Sequence, residues 1–196
     1  MSEILGPIHH WLFNKIQLQE ELIKDIAASS DIKCDVDREA FVNKELRPLE
    51  ELIDTDNIHG WLQNAIHDAE GRYAKLVTAI LSSDSSAIDP LKEIAFKSGA
   101  KHPAGKNEFP TETYKHFQDF FVNGMPCDMV NSVVDQNNEH VVWEELQDLH
   151  SSYWKDCGGD PANYYILRAE IMKGMLAETD KEFREIEPQR FEIVRR

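Results

Sequence analysis

The sequence predicts an all-α protein: a helical bundle built from two duplicated helical hairpins, with a helical C-terminal half packed against it as one unit. Three observations predict it. Apolar residues recur at three- and four-residue intervals along almost the whole chain. Asp89-Pro90 and Asp160-Pro161 each place a capping residue before a proline, a helix-start device. Residues 8–16 also recur as residues 58–66, with six of nine positions identical at an offset of 50.

The first helix is expected from Glu3 to Ala28, with Pro7 in its opening turns and Ser29-Ser30-Asp31 ending it. A second runs from Asp37 to Ile53 and is kinked or split by Pro48. Asp54-Thr55-Asp56-Asn57 supplies caps for a third, which reaches Leu81. A short helix starts at Asp89-Pro90 and is stopped by Gly99. Residues 99–109 form the clearest loop and divide a duplicated-hairpin unit, 1–98, from a C-terminal half, 110–188. Thr111 caps an aromatic-rich helix closed by Asn123-Gly124, and a short helix follows at Met125-Pro126-Cys127-Asp128. His140-Val141-Val142-Trp143 suits a strand by composition. Val142, Leu146, Leu149 and Tyr153 keep helical spacing, which favours a helix ending at Gly158-Gly159. A last helix runs to Ile186, and the chain beyond Pro188 reads as a frayed tail.

Bulk properties narrow the function. The 196 residues carry 21 Lys+Arg against 36 Asp+Glu, a net charge of −15. That balance argues against nucleic-acid and anionic-membrane binding, because both need a basic surface. No apolar run approaches the ~20 residues of a membrane span. Met1-Ser2-Glu3-Ile4 lacks the basic start of a signal peptide. The three widely spaced cysteines, Cys34, Cys127 and Cys157, fit a reducing cytoplasm. Gly-rich phosphate loops, G-x-S-x-G, H-E-x-x-H and calcium-loop patterns are absent.

The repeat carries the chemistry. His9, Leu12, Phe13, Ile16, Glu20 and Ile23 share one helix face, as do His59, Leu62, Gln63, Ile66, Glu70, Tyr73 and Val77. Each stripe is mostly apolar, so a histidine and a glutamate are drawn toward the core twice, where each needs a partner. If the two helices run parallel, His9 lies level with His59 and Glu20 with Glu70, the two levels being roughly 16 Å apart. Facing histidines suit a divalent metal or a haem iron, and facing glutamates suit bridged metals. His10 and His67 lie off the stripe as secondary candidates.

The leading expectation is therefore a cytoplasmic metal- or haem-binding bundle for sensing, redox or storage, with His9, His59, Glu20 and Glu70 as ligands. Against it stands a structural role for the same residues, as helix-end packing and core hydrogen bonds. A second expectation is a cofactor-free regulatory module, in which the acidic surface meets a basic protein partner or a second copy of the chain. A third is an enzyme for a small apolar ligand, in a pocket lined by Phe117, Phe120, Phe121, Trp143 and Trp154. His150 would be its polar group, and Cys127, near a helix start, a reactive thiol.

Overall fold

The computed structural model describes residues 5–196, so the expected helix start at Glu3 and the reading of residues 1–4 lie outside the described residues. The first helix, α1, spans Pro7–Ala28. Pro7 occupies its first position, where a missing N–H leaves nothing unpaired. The Gly6 N–H donates to His9 Nδ1 at 2.9 Å, so an imidazole does the work of a capping acid. Helix α2 is only one turn, Leu49–Leu52, preceded by a 3-10 turn at Arg38–Phe41. The long helix expected between Asp37 and Ile53 does not form. Residues 43–48 contain one large apolar side chain, Leu46, and it is 89 % exposed. With no apolar face to bury, that segment gains nothing from coiling.

Helix α3 spans Ile58–Ser83, and Asn57 Oδ1 caps it by accepting from the Gly60 N–H. It runs parallel to α1: His9 lies beside His59, Phe13 beside Trp61 and Glu20 beside Arg72. Helix α4 covers Ile88–Ala100 and α5 covers Pro110–Phe120. Only a 3-10 turn forms at Pro126–Asp128. Strands β1, Asn131–Gln136, and β2, His140–Glu145, follow. Then come α6, Ser151–Asp156, and α7, Ala162–Leu176. Strands β3, Lys181–Glu187, and β4, Arg190–Arg195, complete the chain.

The fold is therefore mixed α and β, not all-α. The strands form one antiparallel sheet in the order β1-β2-β4-β3. Residues 140–145, read as helix from their spacing, are an inner strand. The expected tail is the other inner strand, and Arg196 N–H still donates to Asp180 O at 2.8 Å. Alternation explains the sheet. Val141, Trp143, Phe183, Phe191 and Ile193 all point to one face and are buried. The other face carries charge pairs such as Arg190 with Glu144 and Arg184 with Glu192.

Helices α5 and α7 cover the apolar face of the sheet. There Trp143, Phe183 and Phe191 join a core with Ile23 and Ile26 of α1, Val77 and Ile80 of α3, Leu91 of α4 and Leu167 of α7. A second core gathers Leu12, Ile16, Leu62 and Ile66 from the two repeats with Leu49, Ile53 and Val122. Among the described residues no helix is long and apolar enough to cross a membrane.

Helices α4 and α7 cross at close range through two glycines. A methyl group on Gly99 would lie 1.9 Å from the Ile171 carbonyl oxygen, and one on Gly174 would lie 2.0 Å from that of Phe96. Gly99 is the penultimate residue of α4, at the expected end of that helix, and also its contact point with α7. Gly99→Ala and Gly174→Ala should each cost about 1–3 kcal/mol in urea unfolding, because backbone must move apart. Gly71→Ala, in the middle of α3 with open space around it, should instead add about 0.5–1 kcal/mol.

Candidate functional site

The repeat does bring two imidazoles together. The rings of His9 and His59 lie 5.7 Å apart, tilted by 57°. His9 Nδ1 is already occupied by Gly6, and His59 is exposed. Glu20 pairs with Arg72, whose Nη1 donates to Glu20 Oε2 at 2.9 Å and whose Nη2 meets the other oxygen. Arg72 also bonds Asp68 and the Phe41 carbonyl, fixing the connection between α1 and α3. Glu70 turns elsewhere. Among the described residues no group of three or more His, Cys, Asp or Glu side chains converges on a point that could hold a metal ion. The metal centre expected on the two stripes is therefore corrected: its residues are a helix cap, an exposed ring, an arginine pair and a histidine pair.

Glu70 is 2 % exposed and His150 3 %. His150 Nδ1 lies 2.9 Å from Glu70 Oε2, and its ring stacks on Tyr164 at 3.8 Å and 17°. Glu70 is on the buried stripe of α3. His150 comes from the loop after β2, whose bend is held by Asp148. Asp148 Oδ1 accepts the N–H groups of His150 and Ser151, both at 2.9 Å. Burial would raise the Asp148 pKa, but these bonds and the one from the Ser151 hydroxyl outweigh it and bring it down to about 2.

On its other side, His150 Nε2 lies 3.3 Å from Asn123 Oδ1. A carboxamide can present its oxygen to a protonated ring nitrogen or, turned over, its N–H to a bare one. Asn123 can thus satisfy both states of Nε2, while Glu70 holds Nδ1–H and the ring orientation. Glu70 Oε1 is buried and has no hydrogen-bond partner among the described residues.

Both residues form part of the wall of a cavity of about 310 Å³ between α3, the turn at residues 122–128 and the start of α6. Ile66, Val122, Met125 and Leu149 supply its apolar surface. Asp128, Asp148, Gln63 and Ser152 add polar groups, and none of its lining residues is Lys or Arg. His67, exposed at the rim, bonds the Tyr153 hydroxyl. Burial, and then the Glu70 charge, push the Tyr153 pKa to about 12 and raise those of Tyr73 and Tyr164 further. All three phenols are therefore protonated at neutral pH.

A second buried pair lies beyond Tyr164. Arg168 of α7 bonds Glu145 of β2, with both side chains almost fully enclosed. The guanidinium also sits 4.9 Å from the Tyr165 ring and 4.8 Å from that of Phe191. The remaining candidates are dispersed. Phe117 and Phe120 are buried, and Phe120 and Phe121 border a void of about 30 Å³. Trp143 packs on Phe183 and Phe191, and Trp154 packs edge-on against Tyr73. These five aromatics are core and do not enclose a ligand-sized pocket. Cys127 is exposed and outside the cavity wall, and His10 faces Glu50 at 3.7 Å in solvent.

Comparison with protein families, curated proteins and solved structures returns no match to this chain. Sequence reasoning missed Asn123, Asp148, Glu145 and Arg168. The stripe of α3 marked Glu70, but its partner lies 80 residues away and no local pattern joins them. Arg168→Met should strand a buried carboxylate and cost about 3–5 kcal/mol in urea unfolding. Adding Glu145→Leu should restore much of that loss, since it removes the orphaned charge.

Proposed function

We propose that the protein is a small-molecule enzyme working by general acid–base catalysis, with His150 as the proton-transferring group and Glu70 as its orienting carboxylate. The observation that carries this reading is the buried Glu70–His150 pair on the wall of the 310 Å³ cavity. A carboxylate on Nδ1 holds an imidazole in one tautomer and stabilises the imidazolium when it forms. Asn123 provides for Nε2 with and without its proton.

The lining suggests the class of substrate. Glu70 Oε1 is an acceptor without a donor among the described residues, and a buried carboxylate oxygen left unpaired is costly. Asp128 and Asp148 add negative charge with no cation on the wall to balance it. A small molecule rich in N–H and O–H groups, neutral or cationic, suits that surface. A carboxylate or phosphate does not. The apolar floor of Ile66, Val122 and Leu149 suits a short carbon skeleton. The ligand of this reading is more polar than the one expected for an aromatic pocket.

Titration with ethanolamine, putrescine and guanidine, beside acetate and phosphate, tests the assignment. The amines should raise the melting temperature of the wild type, by an amount that grows with concentration as mass action requires. Glu70→Gln should lose that response. Nitrogen NMR of the imidazole should show the Nε2 resonance of His150 moving on binding while Nδ1 keeps its proton. Stabilisation by the anions alone, or a His150 ring indifferent to every amine, would overturn the proposal.

A further inference from the structure

Another cavity, apart from the one beside Glu70, has a buried primary amine on its wall. Lys15, on α1, is 4 % exposed, and its ammonium lies 4.1 Å above the ring of Trp11, one turn earlier. Asp119 of α5 acts on Lys15 through charge, without a hydrogen bond between them. Its carboxylate is engaged by the Trp11 indole N–H at 2.8 Å. The cavity encloses about 230 Å³ between α1, α5 and residues 123–131. Tyr114 and Asn131 are also on its wall. Asn131 Nδ2–H donates to Gln118 at 3.0 Å, whereas its buried Oδ1 has no partner among the described residues.

We propose that Lys15 is a site of imine formation with a small hydroxylated aldehyde or ketone bound in this cavity. Three features support the class. A buried amine without a carboxylate bonded to it is readily freed as a nucleophile. The free acceptor of Asn131 calls for a hydroxyl donor on the bound molecule. The volume, above the ~150 Å³ that holds a benzene ring, admits a molecule of that size. Burial also lowers the Lys15 pKa to about 8, against the opposing pull of Asp119. At pH 8 Lys15 therefore holds on the order of a hundredfold more free amine than an ordinary lysine.

The step balances without a redox partner. The neutral Nζ attacks the carbonyl carbon, and a C–N bond forms as a proton moves from nitrogen to oxygen. Loss of water from that carbinolamine leaves the C=N bond. Protonated, the imine is again a cation, and the Trp11 face that held the ammonium holds it too. Burial pushes the Tyr114 phenol up to about 12, aided by the Glu145 charge, so it stays protonated and can assist the departing oxygen.

Glycolaldehyde with cyanoborohydride at pH 8 tests the site, because hydride reduction of the imine carbon fixes the adduct as a secondary amine. Peptide mapping should place the early adduct on Lys15, at least tenfold ahead of exposed lysines such as Lys97 and Lys155. Acetaldehyde, which lacks the hydroxyl, should react more slowly there. Lys15→Met and Lys15→Arg, checked for folding by circular dichroism, should lose the fast adduct. Labelling spread evenly over surface lysines would overturn the proposal. So would equal rates for the two aldehydes, or a fast adduct that persists in both variants.

Discussion

Two buried polar pairs joined through one phenol ring link helix α3 to the sheet and α7. Glu70 of α3 holds His150, His150 stacks on Tyr164, and Tyr164 lies 5.7 Å from Arg168, which reaches Glu145 on β2. Each end of that chain lies in apolar surroundings where an unmatched charge would be expensive. The helical layer and the sheet must therefore meet in one relative position, the one in which both charges find partners. The cavity beside Glu70 is a by-product of that fixed docking. Its walls come from α3, the turn after α5 and the loop before α6, which the polar chain holds in register.

The repeat contributes a platform for this arrangement. Residues 8–16 and 58–66 place Leu12, Ile16, Leu62 and Ile66 in one core, and the two helices lie side by side in the same direction. The departures from the repeat are informative. Lys15 stands where the second copy has Ala65, and the two line different cavities. Glu20 and Glu70 occupy equivalent positions yet have opposite partners, an arginine in one case and a histidine in the other.

Legibility followed locality. The amphipathic stripes located α1 and α3, and the stripe argument identified Glu70 as a buried acid in need of company. The β-hairpins were harder to read. Phe183 and Ile186 are three apart and mimic a helix face, and each of β3 and β4 buries only a few apolar residues among many charges. Their strand character rests on cross-strand partners, Phe183 with Ile193 and Trp143 with Phe191, which no window of sequence contains. Gly99 carried a stop signal in isolation, and only the approach of α7 gives it a second meaning. The same limit hid Asn123, His150's partner on the Nε2 side.

The strand order has a consequence for biosynthesis. β2 is flanked on one side by β4, whose residues pair with it across about fifty intervening positions. While the chain is being made, the first hairpin and every helix emerge before the strand that fills this gap. Until then Val141 and Trp143 have an open ladder beside them, a template for pairing with a neighbouring nascent chain. Closure of the sheet thus waits for β4, the last made of the described strands.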